Sequence, residues 1–294
     1  MADYHLADSV HTDWDRGRDP ALAVEPGATI EFDCLDANGG RIPRDATAAD
    51  LADTPFVGHH LTGPVAVEGA EPGDTLRVDV LAVEHEGWGY NLVRPGEGGD
   101  GPGLLPEEFP EPAIHTWELD DGVGHFVDGI EVPLDPFPGV LGVAPAEPGP
   151  HGTGPPRAVG GNLDVKHLTA GATLYLPVAV EGALFSIGDG HAAQGDGEVC
   201  VSAIEAPISA TVRLSLADRE VSAPEFRTTG PFAPGDGGPA YATAGVEDSL
   251  MGAAKAALRS MLDRIHREHG LSRTEAYLLC SVVADLKINQ VVNA

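Results

Sequence analysis

Short segments in which apolar and polar residues alternate recur along most of the chain. Residues 210–216 read A-T-V-R-L-S-L with a strict period of two, and residues 29–34, 75–83 and 173–180 follow a similar pattern. Runs of this kind, bounded by Pro and Gly, are typical of antiparallel strands, because successive side chains of a strand point to opposite faces. The pattern predicts a mainly β fold, built as a sandwich or a barrel.

One short sequence occurs twice. Residues 65–70 and 178–183 both read V-A-V-E-G-A, at an offset of 113 residues, and strand-like sequence flanks each copy. Six identical residues can also arise by chance in a chain rich in Ala, Val and Gly. The repetition therefore leaves two interpretations open, a fold with two related β-units and a coincidence.

The pattern becomes helical near the C-terminus. Apolar residues over 250–265 recur close to the 3.6-residue period of a helix. Ser272 and Glu275 form a capping-box pattern ahead of another apolar run, which predicts the start of a second helix. After Asp285 we expect a strand or a turn, up to Val292.

Three stretches rich in Pro and Gly have little periodicity, residues 94–112, 144–161 and 229–245. Loops of that length in a compact domain are usually lids or oligomer contacts. We expect a β-rich body over residues 1–245 and an α+β C-terminal segment over residues 246–294, packed on the same domain.

The chain is strongly acidic, with 46 Asp and Glu residues against 17 Lys and Arg and a net charge of -29. Because binding to phosphates needs a basic surface, nucleic acid is not an expected partner. The acidic residues are spread along the whole chain. This distribution favours adaptation to a salt-rich cytoplasm, as in a halophilic archaeon, since the Debye length falls to about 3 Å at 1 M salt.

Cysteine usage and hydropathy indicate the compartment. Cys34, Cys200 and Cys280 are odd in number and far apart, which argues against a disulfide framework. No apolar run approaches the roughly 18 residues of a membrane span, and no basic-then-apolar leader opens the chain. We expect a cytoplasmic protein with no membrane partner.

The densest group of polar side chains lies in the Gly-rich segment 185–200. Asp189 and His191 are two residues apart, so an extended backbone directs both side chains to the same face. Carboxylates and imidazoles bind divalent cations, and Asp164 could supply a third ligand. The expected cofactor is a divalent metal ion, with zinc ahead of calcium or manganese. For Asp196, between two glycines, a turn is the preferred interpretation.

Three other residues in or just after this segment could take part in a reaction. Glu198 is either a base close to the cluster or an exposed residue, and Glu205 follows a buried-looking strand where a carboxylate could act as a base. Cys200 lies between two valines, a setting in which thiols are usually inert. The chain has neither a G-x-S-x-G elbow nor a Gly-rich phosphate loop ending in Lys-Ser or Lys-Thr.

Several stretches together resemble the acetamidase/formamidase family. They are H-T-D-W-D at 11–15, L-T-G-P-V-A-V-E-G-A-E-P-G-D-T-L at 61–76, P-F-P-G-V-L-G-V-A-P at 136–145, G-G-N-L-D at 160–164, and the run at 174–200 that contains G-D-G-H-A-A-Q-G-D-G-E. The resemblance implies a jelly-roll-like β fold with helices near the C-terminus. It also implies hydrolysis of formamide or acetamide to the acid and ammonia, association with metal ions, and an intracellular homo-oligomer, a dimer or larger.

A metal-assisted amide hydrolysis assigns roles to these residues. The predicted metal ligands are Asp164, Asp189 and His191, with His11 or His60 in addition. The predicted catalytic residues are Glu198, Glu205 and His191, and the predicted substrate-binding residues are Gln194 and Gly190. Two other functions remain open, an amidase that depends on Cys200 and a non-catalytic protein that binds a metal or a small molecule on the same scaffold.

Overall fold

The computed structural model describes residues 2–94, 103–221, 224–227 and 249–286. The strands are β1 (Tyr4–Leu6), β2 (Val10–His11), β3 (Asp13–Trp14), β4 (Leu22–Val24), β5 (Thr29–Cys34), β6 (Leu61–Val67), β7 (Thr75–His85), β8 (Trp88–Val93), β9 (Ala113–Asp120), β10 (Val123–His125), β11 (Glu131–Pro133), β12 (Phe137–Val143), β13 (His151–Gly152), β14 (Gly160–Asn162), β15 (Thr173–Pro177), β16 (Phe185–His191), β17 (Ile208–Ala217) and β18 (Glu225–Arg227). The helices are α1 (Leu250–His269) and α2 (Arg273–Val283), with a 3₁₀ turn at Asp50–Asp53.

Two large sheets form the body of the protein. The first has the strand order β1-β5-β17-β7-β15-β18, and the second has the order β14-β12-β16-β6-β2, with β4 beside β6. The rings of Phe32 on β5 and Phe185 on β16 meet edge to face across the two sheets, with centroids 6.0 Å apart. Strands β11-β10-β9-β8 form a smaller sheet, and β3 pairs with β13. The mainly β fold with antiparallel sheets and a helical C-terminal part confirms the predicted fold class.

The alternating segments form strands as predicted. Residues 29–34 coincide with β5, and residues 75–83 and 210–216 lie within the longer β7 and β17. The segment predicted at 173–180 ends earlier, at Pro177, because the chain then turns toward the other sheet. The alternation of apolar and polar residues continues to residue 180, but the turn ends the strand three residues earlier.

Both C-terminal helices are present. The Ser272 side chain accepts a hydrogen bond from the Glu275 backbone N–H, and the Glu275 carboxylate accepts one from the Ser272 N–H, which confirms the capping box. Leu258 and Leu262 are buried in the same hydrophobic cluster as the sheets. Residues 95–102 and 228–248, and with them much of two predicted loops and the expected 245/246 boundary, lie outside the described residues. The prediction for residues 287–292 also lies outside them.

The two V-A-V-E-G-A copies lie side by side. The Val67 N–H donates to the Gly182 carbonyl at 2.9 Å, and the Gly182 N–H donates to the Ala70 carbonyl at 2.8 Å. Gly69 and Gly182 occupy the same position in the two copies and have nearly the same left-handed φ, 75° and 74°. The first copy leads from β6 to β7 and the second from β15 to β16, so each turn carries the chain from one large sheet to the other.

Two further features of the described residues concern membrane-spanning helices and cysteines. Within it, neither helix combines the length and the apolar character needed to cross a membrane. All three cysteines lie in the described ranges, and each is a buried, free thiol.

Candidate active site

The strand β16 carries the centre of the candidate site and is buried along its whole length. It lies between β12 and β6 in the second sheet. Glycines make this close packing feasible, because a Cβ at Gly188 would lie 2.3 Å from the His60 carbonyl oxygen and a Cβ at Gly190 would lie 2.2 Å from the Ala206 carbonyl oxygen. The first part of the Gly-rich segment is therefore a central strand, and Asp189 and His191 on it are buried.

Glu205 reaches the site through backbone pairing at the end of β16. His191 and Glu205 form an antiparallel bridge, and the Ala206 N–H donates to the Gly190 carbonyl at 2.7 Å. This pairing sets Glu205 Oε1 at 3.4 Å from His191 Nε2. The Ala203 N–H donates to the same Glu205 oxygen at 3.1 Å, which fixes the carboxylate in place.

Gly139 of β12 lies directly beside the carboxylates of Asp164 and Asp189. The Asp164 N–H donates to the Gly139 carbonyl at 3.1 Å, which holds Asp164 against this strand. A Cβ at Gly139 would lie 2.6 Å from Asp189 Oδ2, 2.7 Å from Asp164 Oδ1 and 2.7 Å from His191 Cε1. The absence of a side chain at this position leaves a cradle where these three residues converge.

Three acidic residues of the site have left-handed backbones. Their φ angles are 45° at Asp164, 59° at Asp189 and 38° at Glu198. Such conformations are uncommon for residues other than glycine, cost of the order of 1–3 kcal/mol each, and cluster at functional sites. Their convergence here makes this cluster a candidate functional site.

The side chains fit a divalent cation. Asp164, Asp189 and His191 form one group whose ligand atoms lie within 4.8 Å of one another, and His191, Glu198 and Glu205 form a second. Among the described residues, Asp189 Oδ1, His191 Nδ1 and Gln194 Oε1 are buried without a hydrogen-bond partner. Because buried polar atoms are costly unless they are satisfied, a cation that accepts these lone pairs would remove the penalty. Carboxylate oxygen and imidazole nitrogen are common ligands of such ions.

Protonation in the cluster is strongly coupled. Burial opposes the charge on Asp189, but the positive field of His191 and the hydrogen bonds of the cluster outweigh it and lower the Asp189 pKa. Burial also opposes protonation of His191, yet the carboxylates of Asp189 and Glu205 raise the His191 pKa well above its usual value. In the protein without a cation, a proton on His191 therefore balances part of the acidic charge.

The two glutamates have raised pKa values. Burial raises the pKa of Glu205 to about 7, although His191 acts in the opposite direction. Burial and the negative charge of Asp164 raise the pKa of the half-buried Glu198 well above its usual value. A carboxyl that exchanges its proton near neutral pH is suited to general acid–base catalysis.

The structure adds residues that the sequence did not single out. His59 Nε2 lies 3.7 Å from Asp189 Oδ2, so His59 is the member of the His59–His60 pair that faces the site. The buried Tyr90 hydroxyl donates to Asp36 Oδ1 at 2.6 Å, and burial raises the Asp36 pKa. Adjacent residues of a strand point to opposite faces, so at most one of these two histidines is expected to face a common site, but alternation cannot say which one.

Two predicted metal ligands lie outside the cluster. His11 uses both ring nitrogens, Nδ1 at 2.7 Å from the Asp13 carbonyl oxygen and Nε2 at 3.0 Å from Ser186 Oγ, and therefore acts as a structural link. The His60 ring packs against Gly39, and burial together with Arg41 lowers the His60 pKa. The fold thus places both imidazoles outside the cluster, and the spacing of residues in the sequence does not predict this.

The remaining candidates are placed as follows. Gln194 is close to the cluster, where its Nε2 donates to the Asp164 carbonyl at 3.2 Å. Both backbone polar groups of Gly190 are engaged, the N–H with the Leu35 carbonyl and the carbonyl with the Ala206 N–H. Asp196 lies in a turn, in agreement with the preferred interpretation. Cys200 is fully buried, and burial raises its pKa to about 12.

Comparison with known proteins gives the family context of this geometry. A family profile described as the acetamidase/formamidase family matches residues 3–152 and 148–294. A putative formamidase of Schizosaccharomyces pombe is 30% identical over 272 residues, which cover 73% of this chain and 65% of that protein. The chain thus spans slightly less than two thirds of the length of this curated relative.

Two solved structures share the fold. The gamma lactamase from Delftia acidovorans has a TM-score of 0.89 and 27% identity, with 99% of this chain and 90% of that chain covered. An acetamidase from Bacillus halodurans has a TM-score of 0.71 and 28% identity, with 94% of this chain and 89% of that chain covered.

Proposed function

The chain belongs to the acetamidase/formamidase family, and we propose that it hydrolyses short aliphatic amides such as formamide and acetamide to the carboxylic acid and ammonia. The observation that carries this proposal is the buried cluster at the end of β16. There, two ligand groups share His191, and Asp189 Oδ1 and His191 Nδ1 are buried without a hydrogen-bond partner among the described residues.

An amide is a poor electrophile and ammonia is a poor leaving group, so hydrolysis needs a polarised carbonyl, an activated water and a proton donor for the nitrogen. We assign the cation site to Asp164, Asp189 and His191, with zinc ahead of manganese and calcium. A divalent ion there would polarise the carbonyl and lower the pKa of a water molecule toward about 7. Gly139 leaves the space for it.

Glu205 is assigned as the proton carrier. Its carboxylate is held by the Ala203 N–H next to His191, inside the ligand cluster. It would take a proton from water as the new C–O bond forms, and would return it to the nitrogen as the C–N bond breaks. In the protein without a cation its pKa is about 7, so this carboxyl is able to gain and lose a proton near neutral pH. Glu198, from the other side of the cluster, is the second candidate for this role.

A cyclic amide is a second candidate substrate. The specific observation in its favour is the TM-score of 0.89 to the Delftia gamma lactamase, against 0.71 to the Bacillus acetamidase. Opening a lactam breaks the same C–N bond and needs the same three functions. The difference is that the amine stays attached to the product, so ammonia is not released.

The test is a panel of formamide, acetamide, propionamide and γ-butyrolactam in molar KCl, followed by ammonia and amino acid analysis, with elemental analysis of the purified protein. We expect release of ammonia from at least one linear amide, and one or more equivalents of a divalent metal per chain. Asp189→Asn should remove metal and activity together, while Asp121→Asn, at an exposed position, should change neither. Full activity in metal-free protein, or no product from any amide, would overturn the proposal.

Compartment and assembly complete the proposal. We infer a cytoplasmic protein, which is supported by the three free thiols, and a homo-oligomer of at least two chains. Light scattering coupled to size exclusion in 2 M KCl tests the oligomer, and a mass of one chain, 30.4 kDa, would contradict it.

A further inference from the structure

Lys166 forms an ion-pair cluster beside the site. Its Nζ lies 3.3 Å from Asp196 Oδ1 and also contacts the Asp285 carboxylate. Lys166 is one of only three lysines in a chain with 46 acidic residues, and its side chain is 22% exposed. Since partial burial weakens screening by solvent and salt, these contacts hold better in high salt than fully exposed pairs.

Backbone contacts reinforce the same junction. The Asp196 N–H donates to Asp285 Oδ1 at 2.9 Å, and the Leu286 N–H donates back to the Asp196 carbonyl at 3.1 Å. A Cβ at Gly195 would lie 2.6 Å from the Ala284 carbonyl oxygen, and one at Gly197 would lie 2.5 Å from the Leu286 side chain. Residues 284–286, which follow α2, therefore pack directly against residues 195–197 of the Gly-rich loop.

The two loops that meet at this junction each carry an acidic residue of the site. Lys166 follows Asp164 by two residues, and Asp196 precedes Glu198 by two. Asp164 and Glu198 are thus each two residues from a partner in the Lys166–Asp196 ion pair. Both also have left-handed backbones, which persist only where the surroundings hold them. The Lys166–Asp196 ion pair joins the Asp164 segment directly to the Glu198 loop.

We propose that Lys166 and Asp285 form a positioning clamp that holds the Asp164 segment and the Glu198 loop at the separation the site requires. Lys166 contacts no reacting atom and acts through Asp164 and Glu198. The inference rests on the proposed function for its kinetic consequence, but its effect on cation binding is independent of which amide is hydrolysed. The clamp also gives α2 a role in the site, since the residues just after the helix complete it.

The test compares four full-length variants with the parent protein. Lys166→Met removes the clamp, Lys166→Arg keeps its charge, and Lys255→Met on α1 makes the same charge change away from the site. Asp285→Asn weakens the ion pair but retains an oxygen that can accept the Asp196 N–H, so it isolates the ion pair if Lys166→Met does not fold. Each variant is titrated with Zn²⁺ by calorimetry and assayed for kcat and KM.

We expect Lys166→Met and Asp285→Asn to weaken Zn²⁺ binding about 10-fold, the range found for residues that orient metal ligands. Both should lower kcat more than they change KM, because the substrate does not contact the clamp. Lys166→Arg should recover binding and kcat, and Lys255→Met should match the parent. Parental Zn²⁺ binding in both clamp variants, or an equal loss in Lys255→Met, would overturn the clamp. If the parent hydrolyses no amide, the proposed function fails, while the titrations still decide the clamp.

Discussion

A Cβ atom at Gly139 would lie 2.6 Å from Asp189 Oδ2, closer than real Cβ atoms approach an oxygen. The strand β12 thus leaves an open space below the carboxylate, surrounded by the buried side-chain ends of Asp189, Asp164 and His191. A small ion can occupy such a space, whereas even a methyl group cannot.

Gly139→Ala should therefore weaken Zn²⁺ binding about 100-fold, at the upper end of the range for changes that disturb ligand orientation. The φ of Gly139 lies outside the left-handed range, so the backbone itself tolerates alanine. Calorimetric titration measures the effect, and thermal unfolding checks the fold. Gly152→Ala is the matched control, because a Cβ there meets nothing within 4 Å among the described residues. Equal Zn²⁺ affinity in the two variants would contradict the cradle.

Cation binding should release protons. The His191 pKa is raised well above its usual value, so at neutral pH the imidazole is protonated and must lose its proton to become a ligand. Raising the pH removes that competitor, so the apparent affinity for Zn²⁺ should increase with pH. Calorimetry in buffers of different ionisation enthalpy counts the released protons. An affinity that does not change between pH 6 and pH 8 would contradict this protonation state.

Some features could be predicted from the sequence because local chemistry determines them. The Ser272–Glu275 capping box and the turn at Asp196 follow from hydrogen bonding over a few residues. Asp189 and His191 do lie in one cluster, but the left-handed φ of Asp189 departs from the extended backbone that their spacing suggested. Pairing across the chain is different. The backbone bridge between His191 and Glu205 and the close approach of Gly139 to Asp189 depend on the register of strands far apart in sequence, which no local pattern encodes.

Cys200→Ala should leave the amide hydrolysis rate within about twofold of the parent and lower stability by about 1 kcal/mol, the usual effect of a small buried truncation. The thiol is fully buried and its pKa is raised to about 12, so almost no thiolate exists at neutral pH. Steady-state kinetics and thermal unfolding measure the two effects. A loss of activity in a folded variant would restore the cysteine-dependent mechanism.

Asp79 should make stability depend on pH in the acid range. Burial opposes its ionisation, but hydrogen bonds from Arg77 and Thr173 outweigh that cost and lower the Asp79 pKa below its ordinary 3.8. The stabilisation is therefore complete above about pH 5 and is lost as the pH falls through the lowered value. Asp79→Asn should cost about 2 kcal/mol at pH 7, typical of hydrogen bonds to a charged group.

Chemical denaturation from pH 7 to pH 2 measures this dependence. The difference between the parent and Asp79→Asn should shrink below about pH 4, since protonation removes the charge in the parent as well. Asp121→Asn, at an exposed position, should show no such trend. A difference that stays constant down to pH 2 would mean that the Asp79 charge contributes nothing.

Salt should stabilise the folded chain. With a net charge of -29, repulsion among carboxylates opposes the compact state, and the Debye length falls from about 10 Å at 0.1 M to about 3 Å at 1 M. The melting temperature should rise between 0.1 M and 2 M KCl, and more than in sucrose of equal osmolality. A flat or falling melting temperature would contradict the adaptation to salt that the composition suggests.

His11 and His60 show why the ligand set was harder to predict than the fold. Both histidines lie in segments that resemble the family or adjoin them, and both are packed near β16. The ring nitrogens of His11 nevertheless contact the Asp13 carbonyl oxygen and Ser186 Oγ, and the ring carbons of His60 lie against Gly39. Which partner an imidazole meets depends on tertiary packing within an ångström or two, and residue spacing carries no such information.

The side-by-side V-A-V-E-G-A turns allow position-by-position comparison of the strands that follow them. At the offset of 113 residues, Asp189 and His191 correspond to Leu76 and Val78 on β7. Leu76 and Val78 are fully buried. Apolar residues thus stabilise one strand, while its counterpart carries charged groups that burial disfavours. The sheet of β7 therefore gains hydrophobic stabilisation at the two positions where the sheet of β16 bears the cost of buried charge.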